Sequence, residues 1–130
     1  MNKKIFLLAL LLLGSIGYSQ SLDCSKFKNG KFYSKTYPSS YFVIKDTIME
    51  DFNGGDFLVW TWSIKWINDC EYEAVCTKST NEFIAIGDKM IVTIKVIDGE
   101  CFEFDRKLID KKFADGSDTK SFYNCIEKNK

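Results

Sequence analysis

Histidine is missing from this 130-residue chain altogether. Its absence excludes an imidazole general base, the Ser–His and Cys–His nucleophile pairs and every imidazole metal site. Arginine is almost as scarce, with Arg106 standing alone among lysine cations, which argues against bidentate phosphate recognition. A charge of one sign is lacking too: basic and acidic residues number 18 each, so no field draws in nucleic acid or an anionic membrane surface. Past the N-terminal run no stretch places apolar residues at helical spacing, and the cysteines lack the paired short spacings of a zinc site. Carboxylates are the most accessible catalytic groups that remain, yet Asp and Glu are scattered over faces that read as wet, with no pair gathered toward a pocket. The expectation is a protein that is not an enzyme and carries no metal and no cofactor.

What is present begins with MNKKIFLLALLLLGSIGYSQ, in which Lys3 and Lys4 precede an apolar run from Ile5 to Leu13 and small residues Gly17 and Ser19 lie near the end. This is the pattern of a secretory signal peptide, residues 1–19. The run is far short of the roughly 18 to 20 apolar residues of a spanning helix, so a retained anchor is the lesser reading. Cys24 follows Leu22-Asp23, where a lipoprotein would carry a small residue. Removing 19 residues from 130 leaves 111, residues 20–130, enough for one domain, with 16 basic against 18 acidic side chains. The product is expected to be secreted or periplasmic, with no membrane span.

All three tryptophans and two of the five cysteines fall within FLVWTWSIKWINDCEYEAVC, Phe57 to Cys76. Trp60, Trp62, Ile64 and Trp66 alternate with Thr61, Ser63 and Lys65, the period-two signal of a strand with one wet face. Tyr72, Ala74 and Cys76 resume the even face after Asn68-Asp69. Even positions of two antiparallel strands share a side only if opposed residues have numbers summing to an even value. That excludes a two-residue turn at Asn68-Asp69 and calls for a loop of three or more residues, pairing Trp66 with Tyr72 and Trp62 with Cys76.

The same parity argument reaches the cysteines. Phe102 and Phe104 in one strand, and Phe122 and Ile126 in the last, place Cys101 directly opposite Cys125 on the outer face when Phe104 opposes Phe122, close enough for a disulfide. Of the other three, Cys70 and Cys76 are held about 20 Å apart within one extended strand at about 3.3 Å per residue. Cys24, ahead of the first strand, can reach Cys70 at the hairpin tip, which leaves Cys76 as a free thiol on the buried face. A reactive or intermolecular Cys76 is the alternative, and it would have to be open to alkylation in the folded protein.

Further strands follow Asn29-Gly30, span Tyr41 to Asp46 and Thr47 to Phe52, and enter the tryptophan strand through Asn53-Gly54-Gly55-Asp56. Met90 to Ile97 puts Val92, Ile94 and Val96 inward. A two-residue turn at Asp98-Gly99 would oppose Ile94 to Glu103, so a three-residue loop, Ile97 to Gly99, with Gly99 left-handed in a bulge is expected, opposing Ile94 to Phe102. Asp110 to Asp118 reads as a solvated loop, its acidic spacing unlike a twelve-residue calcium site. About eight strands in meander order give an all-β antiparallel barrel or a strongly curled sheet. With aromatics at 15% of the chain, the tryptophans either fill such a barrel or line a cavity in it.

Two segments, CSKFKNGKF (Cys24 to Phe32) and IKWINDCEYE (Ile64 to Glu73), resemble a group of short exported proteins of flavobacteria and their relatives. Their pattern is Cys-x-x-Phe-x-x-Gly-x-Phe followed by Trp-x-x-x-Cys-x-Tyr, matched here at Cys24, Phe27, Gly30, Phe32, Trp66, Cys70 and Tyr72. The group has no known activity, and the DNA topoisomerase IV label on some members is at odds with their size. Its shared cysteine pair agrees with a Cys24–Cys70 bridge. The opening also resembles the Gly-x-Trp start of lipocalin-like barrels, with Phe32 in place of the tryptophan. The lipocalin-like resemblance implies a small barrel, and the leading expectation is binding of a small apolar ligand by Trp60, Trp62, Trp66, Tyr72, Phe102 and Phe104. The alternative is a protein-binding module, for example an inhibitor of an envelope-targeting hydrolase, using the loops at Asn53 to Asp56 or Asp110 to Asp118 and an outward patch of Tyr33, Tyr37 and Tyr41.

Overall fold

A computed structural model describes residues 22–128; the signal peptide expected over residues 1–19 lies outside them. Eight strands, β1 (Gly30–Ser34), β2 (Tyr41–Lys45), β3 (Ile48–Asn53), β4 (Phe57–Asn68), β5 (Glu71–Ser79), β6 (Lys89–Asp98), β7 (Cys101–Leu108) and β8 (Thr119–Ile126), pair antiparallel in chain order. β8 returns to pair with β1, at Tyr33 opposite Cys125, and closes the barrel. This is the up-and-down, lipocalin-like architecture, and it leaves no sheet edge unpaired. Alternation drives it: in β5 Tyr72, Ala74 and Cys76 are buried, and in β7 Phe102, Phe104 and Leu108.

The register of the tryptophan hairpin has Trp66 opposite Tyr72 and Trp62 opposite Cys76, as parity requires, and Phe102, Phe104 and Cys101 oppose Asn124, Phe122 and Cys125. The means differ from those expected at two tips. Asn68 pairs with Glu71, so the turn has only two residues, Asp69-Cys70, and the odd residue is absorbed by a bulge between Trp66 and Asn68 that turns Ile67 outward. Likewise Asp98 pairs with Cys101, the turn is Gly99-Glu100, and the register slips between Ile94 and Val96. Ile94 therefore opposes Phe104 rather than Phe102, and Val96, expected inward, is 49% exposed. A loop and a bulge satisfy parity equally, but a bulge also adds the local twist that a closing sheet needs. Gly99 is left-handed, φ 61°.

One end of the barrel is plugged. Residues 22–29 fold across it with a single 3-10 turn, Ser25–Phe27, which drives Phe27 against Phe102 at 4.3 Å and Phe32 at 6.2 Å between ring centroids. Ties run to three tips: Lys26 to the Gly99 carbonyl, Lys28 to Asp69 at 3.2 Å, and the Asn29 carboxamide accepting from Asp46 N at 2.8 Å. The Cys24–Cys70 disulfide fastens this plug to the β4–β5 tip, and Cys101–Cys125 joins β7 to β8 at the same end. Gly30 starts β1 at φ 139°, and a Cβ there would stand 3.3 Å from the Phe32 ring, so the turn from plug to strand needs glycine.

Candidate functional site

The opposite end is hollow. The loops β1–β2, β3–β4, β5–β6 and β7–β8 surround a cavity of about 410 Å³ whose walls are Phe42, Trp60, Trp62, Met90, Phe104, Leu108 and Phe122. That size lies within the usual range of small-molecule sites, about 300–1,000 Å³. Loops pair off around the mouth. Ser40 Oγ donates to Asn53 Oδ1 at 2.9 Å, joining β1–β2 to β3–β4, and Lys111 bonds Asp88 at 2.7 Å, joining β7–β8 to β5–β6. Phe83 stacks on Phe113 at 6.3 Å on the second side, and Tyr37 is 64% exposed on the first.

Of the six side chains expected to line a ligand site, Trp60, Trp62 and Phe104 do line the cavity. Trp66, Tyr72 and Phe102 do not: Trp66 packs on Tyr72 at 4.7 Å, and Phe102 lies under the Phe27 plug. Aromatic rings thus pack together in one half of the barrel and line a cavity in the other. The tyrosine patch is partly spent on internal contacts, since Tyr41 stacks on Phe52 at 4.8 Å and donates to Asp56 at 2.7 Å.

The floor of the cavity is polar. Arg106 Nη2 and Nη1 meet Asp51 Oδ1 and Oδ2 at 2.9 and 3.0 Å, and Trp62 Nε1 donates to the same Oδ2 at 2.8 Å. The two charged side chains are only 11% and 12% exposed. Three rings surround the guanidinium, Phe42 at 5.2 Å and Phe104 and Phe122 at 5.7 Å, at distances suited to cation–π attraction. Burial alone would pull the Arg106 pKa down; the attraction and hydrogen bonds of Asp51 outweigh it, and the pKa is raised. Tyr72, below the floor, donates to Met49 Sδ at 3.2 Å, and burial pushes its hydroxyl far up.

Asp51 and Arg106 correct the expectation that the carboxylates occupy wet faces only. Arg106 carried a signal, because it shares even parity with Phe102, Phe104 and Leu108. Asp51 had none: its neighbours Glu50 and Phe52 do not declare an inward face, and the bulge between Asp51 and Phe52 breaks the strand's pattern there. Cys76 is 1% exposed, its Sγ 3.2 Å from the Lys78 carbonyl, with burial raising its pKa. Among the described residues no three Cys, Asp or Glu side chains gather as a metal site, and no helix is long and apolar enough to cross a membrane.

These features define the class: a closed eight-stranded barrel, plugged at one end by its own N-terminal segment and hollow at the other. Comparison with protein-family models, with curated proteins and with solved structures finds no match.

Proposed function

We propose that this chain is an exported, non-catalytic binding protein that takes a small, largely apolar molecule into the open half of its barrel. The observation that carries the reading is the unequal filling of the interior. Ring-on-ring packing of Phe27, Phe32 and Phe102 fills one end, while a cavity of about 410 Å³ with aromatic and aliphatic walls stays open at the other. A concavity of this size with apolar walls and a few convergent polar groups is the usual form of a small-molecule site. The two disulfides suit an oxidising compartment.

The test is titration of the oxidised protein with the fluorescent apolar probe N-phenyl-1-naphthylamine. Saturable binding at one site per chain, with quenching of Trp60 and Trp62 emission, is expected. Absence of saturable binding by a folded, disulfide-intact sample sinks the reading.

A further inference from the structure

The cavity is not uniformly apolar, and its one buried ion pair restricts what can lie against it. Asp51 is fully engaged: both oxygens take an Arg106 amino group, and Oδ2 also takes the Trp62 indole N–H. Arg106 is not. Of the five N–H donors a guanidinium offers, two go to Asp51 and one faces the Met49 sulfur at 3.9 Å. Nε is buried without a partner among the described residues and without accessible surface, out of a ligand's reach, whereas Nη1 makes one bond, to Asp51, and keeps a second hydrogen unclaimed. The floor thus has matched charge and one spare donor, at Nη1.

From this we infer, building on the binding role proposed above, that the preferred ligand is an uncharged apolar molecule bearing a hydrogen-bond acceptor, such as a carbonyl or ester oxygen, rather than a carboxylate or a plain hydrocarbon. A carboxylate on this floor would be a second anion beside Asp51 with a single cation shared between them, a buried charge without compensation. A hydrocarbon would leave the spare Nη1 hydrogen unmet in a dry site. An acceptor oxygen satisfies it and adds no charge. The third charged side chain of the lining, Lys120, does not alter the balance at the floor. It is 40% exposed, 3.7 Å from Asp115 and over the Phe113 ring, and so belongs to the wet mouth.

Three ligands of matched length separate the cases: methyl decanoate, its isomer undecanoic acid ionised at pH 7, and undecane, each measured by displacement of N-phenyl-1-naphthylamine from the oxidised protein. The ester is expected to bind about tenfold or more tightly than either of the others. In Asp51→Asn the Arg106 charge is unmatched, and the order of ester and acid should reverse. Should that variant not fold, the wild-type order alone decides. Acid binding as tightly as the ester, undecane binding as tightly as the ester, or none of the three displacing a bound probe overturns the inference and leaves the binding role standing. If the probe itself does not bind, the binding role fails and this inference with it.

Discussion

Arg106 on β7 and Asp51 on β3, 55 residues apart, meet end to end across the barrel with both nitrogen–oxygen distances at or under 3.0 Å. Removing one partner leaves the other as a lone buried charge. Asp51→Ala is expected to cost about 3–5 kcal/mol in urea denaturation, whereas the double change Asp51→Leu with Arg106→Met should recover most of that loss. A single variant as stable as the parent would show that water reaches the floor freely.

Leu108 is 2% exposed and faces the cavity. Leu108→Trp adds volume to a packed position that can yield only toward the cavity, so the folded state should tolerate it at about 1–3 kcal/mol. Binding of N-phenyl-1-naphthylamine should fall at least severalfold, while circular dichroism stays that of a β-protein. Unchanged probe binding would place the probe elsewhere.

The Cys24–Cys70 bridge spans 46 residues of sequence and holds the plug. Replacing both cysteines by alanine should cost about 2–4 kcal/mol. Phe27→Ala, with the bridge intact, should cost a comparable about 3–5 kcal/mol by emptying the site between Phe32 and Phe102. The plug lies at the end away from the cavity, so both variants, if folded, should bind N-phenyl-1-naphthylamine as the parent does.

Cys76 should resist alkylation. Its thiol is buried and burial raises its pKa, so iodoacetamide at pH 8 should leave the native protein unmodified and add one carbamidomethyl group in urea without reductant. Rapid native labelling would mean that the barrel opens locally along β5.

Tyr41 donates to Asp56, and that hydrogen bond, ahead of burial and the negative charges nearby, raises its pKa from 10.0 to about 12. Because the folded value lies above the unfolded one, the contribution to stability is complete below pH 10.0 and is lost as pH climbs toward about 12. Stability of the parent should therefore fall across that window more than that of Tyr41→Phe. Equal slopes would show that the Asp56 contact does not persist in solution.

Period-two alternation was enough to determine the all-β class, the hairpin register at Trp62–Cys76 and the facing of Cys101 and Cys125, because each follows from local pattern and from the rule that one face of every strand is buried. The same rule could not say where the odd residue is taken up: it was expected in the loops of the β4–β5 and β6–β7 tips, and closure of the barrel put it within β4 and β6 instead, which turned Val96 outward. Nor could it divide the aromatics. Trp62 and Tyr72 lie on equivalent even faces, yet one lines the cavity and the other the core, because height along the barrel axis depends on how all eight strands stagger together. The ion pair is likewise a tertiary fact. Arg106 has inward parity in the sequence, but what makes its burial tolerable is a carboxylate from β3, and only closure of the barrel brings Asp51 within reach.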